Sequence, residues 1–427
     1  MIHVFAGPTL PPDEPLLHQP QVRVLPPVRH GDLFDPLIGD GDTVVVIDGL
    51  YHQTPAVRHK EILALLGRDV RVIGAASIGA LRAAELADFG MIGVGQIYRA
   101  YAAGDIDGDD EVAVGQTPDG DLEALTWPLV NLRHVLALAQ QQSVVDAAAA
   151  SGLLEALRSV YYPQRSSAAV RAVCRRHGAG QVSDWLAAQV SRDRHFGDLK
   201  RADALQALQV ALAVPRPAPA AVPTTSTAGW ETAYFRQWVN HFASERVDGL
   251  NLLTRLRLLY QQLFDPGFAQ VWFAFADHCS RHPGPGDGEG MPLADRTTHL
   301  TTGTEPVGGL PAHAIFRPRV DLRDQDTVTR LLLRETAADR AAIAAYTAAN
   351  DTARRQHRGF TTEAVQDSVT RELLLNLWRC SPDAFDAEAV ARGFRHGGHA
   401  VEDAKVFVVG YLAEAAAVRG ELVGDAR

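Results

Sequence analysis

Six residues, Thr43-Val44-Val45-Val46-Ile47-Asp48, restrict the possible folds more than any other stretch of the chain. A continuous β-branched run without polar alternation fits a strand covered on both faces, as in a parallel sheet between helices. Asp48-Gly49 closes it. Two earlier short strands are expected at Ile2-His3-Val4-Phe5-Ala6, stopped by Gly7-Pro8, and at Gln21-Val22-Arg23-Val24-Leu25, stopped by Pro26-Pro27. Thr54-Pro55 reads as an N-cap followed by proline at the first helical position, opening a helix to about Leu66. Val70-Arg71-Val72-Ile73-Gly74 is the next strand, and Ser77 starts a helix to about Ala87. Strands separated by single helices predict βαβ units and a Rossmann- or flavodoxin-like α/β domain with a mostly parallel sheet and flanking helices.

Further helical segments are expected at 126–157, 165–176 and 180–212. The stretch from Val214 to Pro223 is rich in proline and alanine, as in an extended, semi-rigid linker. The reading is therefore an α/β core with a helical extension over 1–213, a linker over 214–228 and a mainly helical C-terminal domain over 229–427. Helical spacing there covers 229–280, with Trp230, Tyr234, Phe235, Trp238 and Phe242 as aromatic anchors, and 323–417; the Gly/Pro/Thr-rich stretch 281–311 reads as a loop.

A net charge of −10 argues against a nucleic-acid partner held through phosphates. There is no apolar run long enough to span a membrane, and Met1-Ile2-His3-Val4-Phe5 lacks a basic segment before a long apolar one. The expectation is a soluble cytoplasmic protein without a membrane partner. Cys174, Cys279 and Cys380 are far apart and odd in number, which supports neither a disulfide framework nor a zinc knuckle. His278, Cys279 and His282, like His396 and His399, lack a placed fourth ligand. No metal or cofactor is assigned to this chain.

Ligands of open parallel sheets bind beyond the carboxyl ends of the strands, where Gly7, Asp48-Gly49 and Ser77 fall. In Gly74-Ala75-Ala76-Ser77-Ile78-Gly79-Ala80 the serine has small residues two before and two after, as the tight turn of a nucleophile elbow needs. The same serine also fits a simple helix N-cap. His59 shares a helix face with Ile62, Leu63 and Leu66, as a general base or as a core histidine. Lys60 and Glu61 beside it fit a solvated face. Arg82 and Glu85 share a face with Ile78 and Leu81, either as a pair fixing the helix or as a guanidinium offered to an anion. Asp105, Asp107, Asp109, Asp110 and Glu111 form an acidic cluster that fits a solvated turn, a partner contact or a divalent-cation site, although the spacing is not an EF-hand.

These residues also spell out a family pattern. Val4-Phe5-Ala6-Gly7-Pro8-Thr9-Leu10, Ile47-Asp48-Gly49, His59-Lys60-Glu61-Ile62, Gly74 through Glu85, Phe89 through Gly95, Asp109 through Val114 and Val130-Asn131-Leu132-Arg133 recur in order. Over about residues 1–135 the chain resembles the TfuA-like core. Ile78 stands where methionine is common, and Tyr51-His52 replaces a typical aromatic-acidic pair.

The resemblance implies a partner of a YcaO enzyme in backbone thioamidation of a ribosomally made peptide. ATP and magnesium would act on the YcaO partner, and the TfuA-like protein would help supply sulfur, meeting the precursor peptide only indirectly. A persulfide route needs a reactive cysteine, and residues 1–135 contain none. A ThiS-type carrier protein with a C-terminal thiocarboxylate is then the expected sulfur source. In that reading Ser77 is the nucleophile, His59 the base and Asp48 its orienting group or a substrate contact; the N–H groups of Ile78 and Gly79 hold the oxyanion, and Arg82 or Lys60 the anionic terminus. Gly7 and Glu85 complete the candidate set. Two alternatives stay open: a non-catalytic adaptor docking on YcaO through Arg82, Glu85, the acidic cluster and the aromatic-rich helices, and an unrelated serine thioesterase.

Overall fold

The computed structural model describes residues 1–50, 54–117, 124–213, 232–284, 288–298 and 316–424. Tyr51-His52, the whole of the 214–228 linker, Trp230 and much of the 281–311 loop lie outside the described residues. The chain falls into two units, Met1–Thr232 and Ala233–Arg427.

In the first unit, β1 (Ile2–Phe5), β2 (Val22–Leu25), β3 (Thr43–Val46), β4 (Arg71–Ala75) and β5 (Ile92–Val94) form one parallel sheet in the order β2-β1-β3-β4-β5. Register is set by Ile2 opposite Val22 and Thr43, Thr43 opposite Arg71, and Ile73 opposite Ile92. Strand order reverses between β1 and β3, the flavodoxin-like pattern whose ligands sit at that switch point. The β-branched run ends up as β3, near the middle, with Val44, Val45 and Val46 fully buried. Alternate side chains serve two cores. Phe5, Val44, Val46 and Val72 pack with Ile62 and Leu65 of α1 (His59–Leu66) and Ile78 and Ala83 of α2 (Ile78–Leu86). Val4, Val45, Ile73 and Ala75 pack with Ala204, Ala207 and Leu208 of α8 (Leu199–Leu212).

The expected alternation of strand and helix therefore holds only from β3 onward. Short 3-10 turns, Pro15–His18 and Asp32–Phe34, are the helical pieces joining β1 to β2 and β2 to β3. The second face is covered by α8, which follows α3 (Gln96–Ala103), α4 (Leu129–Gln141), α5 (Ala147–Arg158), α6 (Ser167–Arg176) and α7 (Gly180–Arg192). Two expected long helices are each divided. Ser143 takes a positive φ of 58° between α4 and α5, and residues 193–198 separate α7 from α8.

In the second unit, α9 (Ala233–Phe242) leads into an antiparallel hairpin of β6 (Ser244–Val247) and β7 (Leu250–Leu253) that the helical spacing did not anticipate. Its turn is Asp248-Gly249, both at positive φ (51° and 79°), the two-residue solution matching strand twist. Helices Thr254–Phe264, Phe268–Arg281, Leu293–Thr298, Gln325–Leu331, Ala337–Gln356, Asp367–Trp378, Phe385–Ala391 and Gly397–Gly424 follow. Their largest core gathers Tyr260, Tyr346, Trp378, Phe385 and Phe407. Among the described residues, no helix is long and apolar enough to cross a membrane.

Candidate functional site at the carboxyl edge of the sheet

Ser77 stands directly beyond β4, at the N-cap of α2, and is 3% exposed. The turn before it is tight. Its N–H donates to the Ala75 carbonyl (2.7 Å), so the chain reverses around Ala76, which has φ +65°. That is the backbone of a γ-turn with positive φ, a rare and strained form. The strained position is thus Ala76, one residue earlier than an elbow centred on the serine itself. Ser77 makes no side-chain capping bond, and its hydroxyl has no hydrogen-bond partner among the described residues.

Two glycines let α2 start here. A Cβ on Gly79 would lie 1.8 Å from the Val46 carbonyl oxygen, and one on Gly74 would lie 2.1 Å from that of Gly79. The helix N-terminus accordingly rests on the ends of β3 and β4, bringing its positive dipole end to the sheet edge. The Gly79 N–H donates to the Ile47 carbonyl (3.4 Å). Ile78, at the first helical position, has its N–H outside the intrahelical ladder.

Asp48, beyond β3, is 2% exposed and ties down the loop after β1. It accepts from the Gly7 N–H (2.9 Å), the Thr9 N–H (3.0 Å) and the Thr9 hydroxyl (2.6 Å). Lys200 of α8 brings its Nζ to 3.7 Å from Asp48 Oδ1 and donates to the Val112 carbonyl (3.0 Å). The backbone N–H of Lys200 is held by Asn131 Oδ1 (3.1 Å), whose own amide donates to Asp198, the N-cap of α8. Lys200 is 3% exposed, and this burial pushes its ammonium below the ordinary lysine range despite the opposing pull of Asp48 and Asp198.

Sequence reasoning passed over Lys200 and gave Thr9 no role beyond its place in the family pattern. A signal for the lysine existed: Lys200 and Asp203 head the stripe Ala204, Ala207, Leu208, Ala211 on the buried face of α8, where charged residues need partners. Asp203 accepts from the Gln96 and Ile97 N–H groups (2.9 and 2.7 Å), capping α3 from a distance.

The structure brings Gly7, Asp48, Ser77, Ile78 and Gly79 to one edge, but not His59. The expected arrangement of His59 between Ser77 and Asp48 is corrected here. His59 is half-exposed and its Nε2 pairs with Glu85 Oε2 (2.8 Å), which also accepts from Arg82 (2.5 Å). Glu85 lies two turns along α2 from Ser77, about 12 Å down the helix axis. Arg82 also donates to the Val57 carbonyl (3.3 Å), and Lys60 to the Thr232 hydroxyl (3.0 Å). His59, Arg82 and Glu85 therefore join α1 to α2 at a surface.

Asp105, Asp107 and Asp109 of the acidic cluster are exposed, as in a solvated turn, whereas Glu111 and Asp110 are tied to arginines. Glu111 is 2% exposed, gripped by Arg133 through two bonds (2.9 and 2.6 Å) and by Arg158 (2.9 Å). Asp110 is bound by the buried Arg165 (3.0 Å), and Asp109 opens the same 3-10 turn. These arginines occupy the Glu111 and Asp110 carboxylates, and no metal-binding group of His, Cys, Asp or Glu is found among the described residues.

Residues 48–166 match the family model described as TfuA-like protein. This segment is similar to TfuA-like proteins. It begins at Asp48 and takes in Ser77, His59, Arg82, Glu85 and the Glu111 brace, whereas Gly7, Thr9 and Lys200 lie outside it. No curated protein matches the chain.

Proposed function

We propose that this TfuA-like chain serves thioamidation of a ribosomally made peptide as the sulfur-supplying partner of a YcaO enzyme, by Ser77-dependent hydrolysis of a thiocarboxylated ThiS-type carrier. The family match supports thioamidation-related biosynthesis. The observation carrying the hydrolytic step is the hydroxyl of Ser77, a residue 3% exposed, which caps nothing and stands at a helix N-terminus beyond a parallel strand.

The Ser77 oxygen attacks the carrier's terminal carbonyl carbon, the C–S bond breaks, and the serine proton leaves with sulfur as hydrosulfide. The resulting serine ester is hydrolysed by water to the carrier carboxylate, regenerating Ser77 and releasing one proton. The Ile78 N–H faces the developing oxyanion. Asp48 acts through Gly7 and Thr9, positioning the neighbouring loop. His59 stays with Glu85 and takes no proton from Ser77.

Incubating the protein with the thiocarboxylated carrier, without YcaO, and following carrier mass and trapped sulfide tests this reading. Wild type should convert thiocarboxylate to carboxylate plus sulfide, with a loss of several powers of ten in Ser77→Ala. Equal conversion by both proteins ends the serine mechanism. The separate helical unit Ala233–Arg427 favours a second reading, docking on YcaO. Thioamidation that still needs this protein at saturating inorganic sulfide would select it.

A further inference from the structure

The loop after β1 is held at both ends by the first turn of α8. Asp48 pins its start through the Gly7 N–H, the Thr9 N–H and the Thr9 hydroxyl, and Lys200 stands 3.7 Å from the same carboxylate. Arg201, the next residue, donates to Glu14 at the far end of the loop (2.6 Å). Between these anchors Ala6 and Leu10 pack in one buried cluster with Ala75 and Ala76, the two residues that precede Ser77. A non-glycine residue at φ +65°, such as Ala76, persists only where its surroundings hold it. The loop is one of those surroundings, so what fixes the loop also bears on the Ser77 turn.

Asp48 is buried, and among the described residues Lys200 is the only cation paired with it. The remaining charges near Lys200 are Asp198, which already accepts from Asn131 and the Arg201 N–H, and Arg194, which lines the same cavity of about 300 Å³ as Thr9 and Lys200. From α4 and from residue 112 Lys200 meets the neutral Asn131 and a backbone carbonyl. Burial lowers the lysine's pKa, so its charge is lost at mildly alkaline pH. Asp48 is then a buried charge without its partner, an arrangement that the hydrogen-bonded loop has to accommodate.

We propose that Lys200 is a positioning residue: its ammonium holds Asp48, and with it the Gly7–Thr9 turn, in the arrangement that keeps Ser77 placed for reaction. Lys200 itself touches no reacting atom. Its control of the turn stands on the contacts above, whereas the consequence for carrier hydrolysis rests on the function proposed for Ser77.

Two readouts on the full chain across mildly alkaline pH test the assignment. One is the NMR signal of the Thr9 methyl group in threonine-labelled protein, assigned with Thr9→Ser; the other is kcat and KM for the thiocarboxylated carrier. In wild type the Thr9 signal should move with one apparent pKa below the ordinary lysine range, and kcat should fall about tenfold through the same transition while KM changes little. Lys200→Met should show the alkaline Thr9 signal and the low kcat at every pH. Adding Asp48→Asn, which removes the charge that Lys200 offsets, should recover part of the lost kcat. The wild-type titration stands should Lys200→Met fail to fold. A Thr9 signal that does not titrate, one that titrates unchanged in Lys200→Met, or a kcat that ignores the transition would overturn the proposal. Absence of carrier hydrolysis at every pH would instead end the function assigned to Ser77, and the Thr9 titration would still decide whether Lys200 controls the turn.

Discussion

Ser77 does not cap α2, so its replacement separates stability from chemistry. Removing a capping serine costs about 0.5–2 kcal/mol. Ser77→Ala should cost less than about 0.5 kcal/mol in urea unfolding while abolishing sulfide release. Lys200 gives a prediction with a definite sign. Its folded-state pKa is depressed by burial below 10.5, so between that lowered value and 10.5 the unfolded chain binds more protons. Stability then rises with pH across this window, and wild type should gain on Lys200→Met in unfolding midpoints measured from pH 7.5 to 10. Glu111→Gln, which leaves two arginines without their shared carboxylate, should cost about 3 kcal/mol, moderated by the partial exposure of both arginines. At this scale the candidate site was partly legible. Asp48 and Ser77 follow from where strands end, because a β-branched run and a small-residue turn are local signals. His59 misled because one helix face can meet either a sheet edge or a neighbouring helix, and spacing does not choose between them. Lys200 went unread because its partners lie on segments far away in the chain.

The glycines of α2 act at the level of the element. Gly79→Ala would drive a methyl group into the Val46 carbonyl, where backbone has to shift, and should destabilise the protein by about 2–3 kcal/mol. Circular dichroism melts of Gly79→Ala against Gly152→Ala, whose added Cβ meets nothing within 4 Å, would isolate that contact. The strands near the middle of the sheet were legible because β-branched residues and terminating glycines and prolines are local. The 3-10 links after β1 and β2 were not, since a crossover needs length but not a regular helix. The β6–β7 hairpin escaped a reading based on helical spacing, although Asp248-Gly249 is a strong hairpin signal.

Across the whole molecule, Met1–Thr232 and Ala233–Arg427 each enclose their own hydrophobic cores. Residues 1–213 and 233–427 produced separately should each unfold cooperatively, and calorimetry of the full chain should show two transitions. Deleting 214–427 should weaken binding to a YcaO partner while sparing carrier hydrolysis, as read by pull-down and carrier mass. One feature of the first unit also bears on how the chain is made. The face of β1, β3 and β4 carrying Val4, Val45 and Ile73 is sealed by α8, which leaves the ribosome only after five further helices beyond β5. At ordinary translation speeds that delay is on the order of 10 s, long enough for an apolar sheet surface to recruit chaperones before its own cover has been synthesised.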